Sequence, residues 1–267
     1  MEKVTVLMSV YRRERPEWLR ESLRSVFGQT LRPAQVVMVV DGPIGEELEA
    51  VLAEFPELTL VRLAENGGLG RALNEGLKHC EHELVARMDT DDVAEPTRLE
   101  KQARVFERYP QVEVVSCWID EFEGEPTNVV STRRLPEFHY EIYEYGKRRC
   151  PVNHPAVMFR RGSVVMAGGY RHFPLFEDYY LWVRLLLSGA KFYNIQESLL
   201  RFRMSPDMFK RRGGWRHALT EVRFQNHIRR LGYIGWGRMT VNVGVRFAAR
   251  IVPNGVRAFI YRRLLRR

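Results

Sequence analysis

Four short apolar runs, each ending in a polar or glycine-rich exit, constrain this chain more than any other feature of its sequence. Val4 to Val10 is mostly apolar and β-branched and stops at Tyr11. Val36 to Val40 is uninterrupted and stops at Asp41-Gly42-Pro43. Leu58 to Leu63 leads to Asn66-Gly67-Gly68-Leu69-Gly70, and Leu84 to Met88 runs into Asp89-Thr90-Asp91-Asp92. Short runs of this kind suit strands buried on both faces. Between them, apolar residues recur at helical spacing: Leu19, Leu23, Val26 and Phe27 after Pro16, then Leu48, Val51, Leu52 and Phe55, then Ala72, Leu73, Gly76 and Leu77. Pro16 suits the first turn of its helix. Strands and helices alternating in this way predict an α/β fold, with a parallel sheet, right-handed crossovers and helices on its faces.

In such a sheet, ligands bind outside the carboxyl ends of the strands. Ser9, Val10 and Tyr11, Asp41, the turn containing Gly68, and Asp89 to Asp92 all fall at those ends. The last exit is the most charged. Three carboxylates within four positions repel one another unless a cation sits between them. A hard divalent cation, sharing its remaining ligands with substrate phosphates, fits that need. An acidic turn capping the helix that Pro96 opens is the other reading of the same residues. The glycine-rich turn matches neither GxGxxG nor GxxxxGK[ST], so alone it is a turn.

Composition sets the frame. Apolar content of 45% and aromatic content of 11% are those of a globular protein, and 267 residues suffice for a sizeable core with one appendage. Cys80, Cys117 and Cys150 are widely spaced, with no zinc pattern, and read as buried hydrophobes in a reducing compartment. No apolar stretch approaches the ~18 residues of a membrane-spanning helix. Met1-Glu2-Lys3 leads into a short apolar run that Arg12 and Arg13 break, unlike a secretory leader, so the chain is expected in the cytoplasm. The net charge of +9 is uneven. From Arg201 onward, 17 basic residues face two acidic ones, giving 17 − 2 = +15; residues 1–200 hold 25 basic and 31 acidic, giving −6.

The stretches VTVLMSVYRRERPEWLRESLRSVFGQTLRPAQVVMVVDGP, ENGGLGRALNEGL, ELVARMDTDD and FEDYYLWVRLLLSG, in that order, resemble the inverting family 2 glycosyltransferases of GT-A fold. The resemblance covers about residues 4–203. VARMDTDD, CWIDEF, NHPAVMFRR, FEDYYLWVRLLLSGA and MFKRRGGW are more narrowly similar to amylovoran-type transferases of exopolysaccharide and capsule assembly. The fold it implies is a Rossmann-like, mostly parallel central sheet flanked by helices, with a basic, mainly helical C-terminal extension. A GT-A domain would occupy residues 1–204, with a nucleotide-binding half to about 118 and an acceptor half beyond, and the extension 205–267.

The resemblance also implies roles. Tyr11 and Asp41 match positions that hold the nucleotide base, with Ser9 and Val10 in the same loop. Asp89-Thr90-Asp91 matches the DxD motif: Asp91 as ligand of Mn2+ or Mg2+, Asp89 as ribose or second metal contact, Asp92 in support. Gly68, Arg71 and Asn74 lie in the donor-side loop. Asp178 matches the general base, with Glu177 the alternative, although two acids also suit a helix start. His154 is read as a donor or acceptor contact or as a structural histidine. The family's usual Asn after Tyr11 is Arg12 here. The metal-binding histidine that many GT-A enzymes carry is missing from Phe202-Arg203-Met204-Ser205, so the metal's third protein contact is unassigned.

The implied donor is a nucleotide-sugar, a UDP-sugar, and the implied acceptor a lipid-linked glycan. Phe209 to Trp215 reads as a cationic cover over the pyrophosphate or as an exposed linker. Val256, Phe259, Ile260 and Leu264 share a helical face beside arginines, a pattern that favours an anionic cytoplasmic membrane surface. The residues 241–247 alternate and suit strand or helix. A nucleic-acid binder using the basic tail would account for the charge but leave the carboxylates idle, so no nucleic acid is expected. A non-catalytic sugar-nucleotide binder is the remaining alternative.

Overall fold

The structure, a computed structural model, describes residues 2–204 and 215–251. Its nine-stranded sheet has the order β3-β2-β1-β4-β8-β6-β9-β5, with β7 paired to β6. The strands are β1 (Val4–Val10), β2 (Gln35–Val40), β3 (Leu58–Arg62), β4 (Leu84–Arg87), β5 (Val93–Ala94), β6 (Val112–Phe122), β7 (Val129–Arg133), β8 (Met158–Arg160) and β9 (Lys191–Arg203). The first four are parallel to one another, and β6 and β9 run the same way, so only β5, β7 and β8 are reversed. Helices α1 (Pro16–Phe27), α2 (Glu46–Ala53), α3 (Leu69–His79) and α4 (Arg98–Arg108) follow the early strands. Helices α5 (His139–Gly146), α6 (Arg161–Met166) and α7 (Glu177–Leu187) complete the middle of the chain. After β9 come α8 (Trp215–Arg230) and α9 (Trp236–Ile251).

Side chains alternate across the sheet as a two-residue period requires. Leu7, Val37, Val39 and Val85 enter one core with α3 and α7. Val6, Met8, Met38 and Ala86 enter the other with α1, α2 and α4. Both faces are covered, which is why β1, β2 and β4 read as near-continuous apolar runs. Gly76 lets α3 lie close on the sheet: a Cβ there would sit 2.4 Å from Leu7 Cδ1 and 2.7 Å from Val39 Cγ2.

The register fixes the site's edge. Val10 pairs with Val40, and the Asp41 amide donates to the Val10 carbonyl at 2.8 Å. The Met88 amide donates to the Leu7 carbonyl at 3.1 Å. Three strand exits therefore sit side by side. The long β9 then crosses beside β6 and pairs with β5, Val93 opposite Arg201, which carries Arg203 to the Asp91-Asp92 turn.

Several elements differ from expectation for local reasons. By its sequence Ala156 to Phe159 also reads as a strand, but β8 starts only at Met158, because His154–Ala156 forms a 3-10 turn closed by the Ala156 amide on the Asn153 carbonyl. Helix α4 starts at Arg98 rather than Pro96; the Pro96 carbonyl is instead taken by the Thr30 amide. Val112 to Trp118 likewise reads as a strand by its sequence, and β6 continues past it to Phe122 along β9. The alternating residues 241–247 are helical, since Asn242 and Arg246, one turn apart, reach Gln225 and Glu221 of α8.

Helices α8 and α9 pack on the middle of the chain. Phe224, Ile228, Tyr233 and Ile234 belong to the core that α7 lines. Phe176 stacks on Phe224 with centroids 4.5 Å apart, and the Tyr233 hydroxyl donates to the Tyr143 carbonyl of α5 at 3.0 Å. Burying a side chain of that size contributes about 1.5–3 kcal/mol. The segments read as a pyrophosphate cover (before Trp215) and as an amphipathic tail (from Val256) lie outside the described residues.

Candidate active site

The carboxylate turn leaves β4 and is braced by three hydrogen bonds, from α1 and β9. The Ser22 hydroxyl of α1 donates to the Asp89 carbonyl at 2.9 Å. Arg203 of β9 donates from Nε to the Asp91 carbonyl and from its backbone amide to Asp92 Oδ1, both at 2.9 Å. Its guanidinium also pairs with Glu21 and lies between the rings of Trp18 and Phe122. Held this way, Asp89, Asp91 and Asp92 bring carboxylate oxygens within 4.8 Å of one another. Burial, then the Asp89 charge, pushes the Asp91 carboxyl up to about 6. Burial, then Asp91 and Asp89, raises fully buried Asp92 well above the carboxylate range. Asp92 Oδ2 is buried without a hydrogen-bond partner. An all-oxygen set, crowded, desolvated and with an orphaned oxygen, fits a hard divalent cation such as Mg2+ or Mn2+.

Glu177 and Asp178, the candidate base residues, open α7. Leu175, immediately before it, has φ of 70°, a left-handed backbone unusual for a branched residue. Burial raises the Asp178 carboxyl above its ordinary value, against the opposing charges of Arg87 and Arg133. The Cys150 thiol lies 3.8 Å from Asp178 Oδ2. Glu177 faces elsewhere: its side chain lies by Gly70 of α3, and His172 Nδ1 is 3.8 Å from its carboxylate. Burial raises Glu177 as well.

His154 sits in the 3-10 turn with its Nε2 2.9 Å from the Tyr170 hydroxyl and its ring edge-on to Trp182. Burial, then Arg87, lowers its pKa well below the usual histidine value, so the ring is neutral near pH 7. Tyr170 is itself clasped by Asn74, whose side chain donates to its carbonyl at 2.7 Å and accepts from its amide at 2.8 Å. Gly169, with φ of 61°, makes room for that clasp.

At the nucleotide side, Asp41 is 4% exposed, and its carboxylate shapes the glycine-rich loop. It accepts from the Gly67 amide at 2.7 Å, the Gly68 amide at 3.0 Å and the Asn66 side chain at 2.9 Å. Ser9 and Tyr11 are half-buried at the exit of β1, whereas Val10 is wholly inside the core. Gly68, with φ of 84°, has nothing within 4 Å of where a Cβ would be, so the loop before α3 opens on free space. Arg71 is exposed and paired with Glu65 at 3.0 Å.

Three arginines were not singled out from the sequence. Arg203 carries no signal there, because its partners come from β4, α1 and β6. Arg98, buried, donates to the Arg87 carbonyl at 2.6 Å and so fixes the end of β4. Arg87 does carry a signal: it is a cation inside the apolar run Leu84 to Met88. Its guanidinium pairs with Asp89. Burial works against its charge, and Asp89, Tyr170 and Asp92 outweigh that cost.

Residues 5–166 match the family profile "Glycosyl transferase family 2". The UDP-Gal:alpha-D-GlcNAc-diphosphoundecaprenol beta-1,3-galactosyltransferase of Escherichia coli is 35% identical over 99% of this chain and 97% of its own length. The amylovoran biosynthesis glycosyltransferase AmsE of Erwinia amylovora is 37% identical over 96% of this chain and 97% of its own. Staphylococcus aureus TarS 1-349 in complex with UDP-GlcNAc has the same fold, with a TM-score of 0.63, 16% identity and coverage of 97% of this chain and 72% of that one. The mannosyltransferase PcManGT of Pyrobaculum calidifontis, in complex with GDP-Man and Mn2+, gives 0.61 and 17% identity over 96% of this chain and 72% of that one. The chain spans only 40% of the longer TarS chain. Sheet order, strand exits and relatives agree, and the chain belongs to the family 2 glycosyltransferases, with a GT-A fold.

Proposed function

We propose that this glycosyltransferase is a metal-dependent, inverting enzyme that moves a hexose from a UDP-sugar to a lipid-linked glycan during surface-polysaccharide assembly. The observation that carries the reading is the cluster of Asp89, Asp91 and Asp92, braced at the exit of β4 on the ligand-binding edge of the sheet. The printed names of the Escherichia coli and Erwinia amylovora relatives support the donor and acceptor classes.

In this reading, Asp91, with Asp89 and Asp92, would hold Mn2+ or Mg2+. A bound divalent cation supplies charge that stabilises the departing diphosphate. The exit of β1 (Ser9, Tyr11) and the loop shaped by Asp41 receive the nucleoside, and the open space above Gly68 admits the diphosphate. Asp178 accepts the proton of the acceptor hydroxyl. The oxygen so freed bonds to the anomeric carbon as the bond to the diphosphate oxygen breaks on the opposite face, which inverts the configuration. Asn74 and His154 act through Tyr170, keeping the loop ahead of the base in place. Glu177 is the alternative base.

A membrane-bound acceptor requires the enzyme to work at a lipid surface. Exposed Trp215 and Leu219 of α8, Leu231 and Trp236 at the turn, and Val241 and Val245 of α9 support peripheral docking, with cations among them. The one acid of the described residues 215–251, Glu221, is buried against Arg246.

Calorimetry with UDP and UDP-galactose, with Mn2+ and then with chelator, tests the assignments. Asp91→Ala is expected to lose metal-dependent binding, on the order of 100-fold or more. Asp178→Asn is expected to bind UDP as the native chain does while transfer falls by about 100-fold or more. Equal loss of UDP binding in both variants would refute these roles.

A further inference from the structure

The turn after α5, Lys147-Arg148-Arg149-Cys150, sets a run of cations beside the candidate base. Its last residue touches that base: the Cys150 thiol lies 3.8 Å from Asp178 Oδ2. The Cys150 carbonyl accepts from Nη2 of Arg133, at the end of β7, at 3.0 Å. Lys147 pairs with Glu144 at 2.5 Å. Arg149 lies over the Tyr145 ring at 5.8 Å. Arg148 is exposed, and its side chain has no partner among the described residues.

Cations suit the end of a helix, and a plain basic turn would need no further account. This turn, however, is built into the fold. Four side chains from other elements take its carbonyls and those of the last turn of α5. Tyr233 donates to the Tyr143 carbonyl at 3.0 Å, Tyr179 of α7 to that of Gly146, Asn242 of α9 to that of Lys147 at 2.8 Å, and Arg246 of α9 to that of Arg148. Behind the two donors of α9, Asn242 also donates to Gln225 at 2.9 Å and Arg246 pairs with Glu221 at 2.5 Å. Gln225 and Glu221 are wholly buried, so a buried polar network ends on one basic surface turn.

Helix α9 also shows what the turn adjoins. Asn242 and Arg246 reach inward, whereas their neighbours Val241 and Val245 are exposed on the face read above as docking on a membrane. The basic turn therefore adjoins both the candidate base and that face. A lipid-linked acceptor carries its parts in the matching order: reacting hydroxyl, sugar, diphosphate, lipid. Guanidinium forks match phosphate oxygens in shape and charge.

We propose that Arg133, Arg148 and Arg149 form the site that holds the diphosphate of the lipid-linked acceptor, on the membrane side of the base. The proposal rests on the reading of Asp178 as base and of the acceptor as lipid-linked. It gives the acceptor its own cations, apart from the carboxylate turn that serves the donor.

The test measures binding to the full chain, with UDP and Mn2+ present, of two soluble probes: a short-chain alkyl GlcNAc-diphosphate, and the matching alkyl glycoside without the diphosphate. The native chain is expected to bind the diphosphate probe about tenfold or more tightly than the glycoside. Arg148→Gln with Arg149→Gln, and separately Arg133→Gln, are expected to remove most of that preference while UDP affinity stays at the native level. Arg148→Lys with Arg149→Lys is expected to recover part of it. An equal loss for both probes, an undiminished preference in the glutamine variants, or a native chain without the preference overturns the proposal. A glutamine variant that keeps the preference and loses only its sedimentation with phosphatidylglycerol vesicles also overturns it, since the cations would then serve lipid headgroups. Undiminished transfer in Asp178→Asn would instead overturn the base reading, which the comparison of the two probes does not use.

Discussion

Burial makes Asp91 and Asp178 reluctant to ionise, yet the roles proposed for them need both charged. Asp91, pushed up to about 6, must be deprotonated to bind a cation. Metal-dependent UDP binding is therefore expected to weaken by about tenfold or more for each pH unit below about 6. Calorimetry at constant Mn2+ across roughly pH 5 to 8 checks it. The sign for stability is opposite to that of an ordinary paired carboxylate. A folded value above the unfolded one favours the native chain at low pH, and that advantage is lost as pH rises through the raised value. Function asks for the anion and the metal-free fold prefers the acid, the tension expected of a site built for a ligand. These environments were only partly legible beforehand. The three aspartates announce themselves as a run, but which of their oxygens lacks a partner depends on Arg203, 111 positions from Asp92.

At the scale of elements, the helix α3 shows why spacing alone misleads about glycine. Gly76 sits within a helix, where alanine is better by about 1 kcal/mol. Here the exchange is expected to fail, because the added carbon would meet Leu7 and Val39 of the sheet at 2.4 and 2.7 Å. Gly76→Ala should lower unfolding stability by about 1–3 kcal/mol, read from urea denaturation. A gain would mean that α3 can lift from the sheet at little cost. The helix positions the loop that Asp41 holds and the Asn74 that clasps Tyr170, so donor binding should weaken together with stability. The periodicity of α3 was plain in the sequence. Its closeness to β1 and β2 was not, since no local pattern records how near two surfaces come.

At the scale of the whole molecule, residues 215–251 pack into the body of the chain. Phe224 stacks on Phe176, two residues before Asp178, and Phe173 meets Phe224 and His227. A chain ended after Met204 would expose these rings along with Tyr179 and Tyr180, and is expected to aggregate on expression. A cooperative, soluble fragment 1–204 would count against that. The full chain is expected to sediment with phosphatidylglycerol vesicles and to be released by salt. Val241→Asp with Val245→Asp should weaken sedimentation without changing UDP binding. Retention by uncharged vesicles at the same level would count against an anionic docking surface.

The sequence by itself determined the parallel half of the sheet, the order of its helices and the edge that carries the candidate site. Each of these follows from short apolar runs, helical spacing and strand exits, all properties of neighbours in the chain. Tertiary structure alone decided what those exits do. It turned the carboxylate of Asp41 onto the glycine-rich loop, placed Val10 in the core, tied Asn74 to Tyr170 and brought Arg203 to the carboxylate turn. It also enclosed Arg87 and paired it with Asp89. Desolvation and electrostatic coupling depend on distances between residues far apart in sequence, and those distances exist only once the sheet has closed around them.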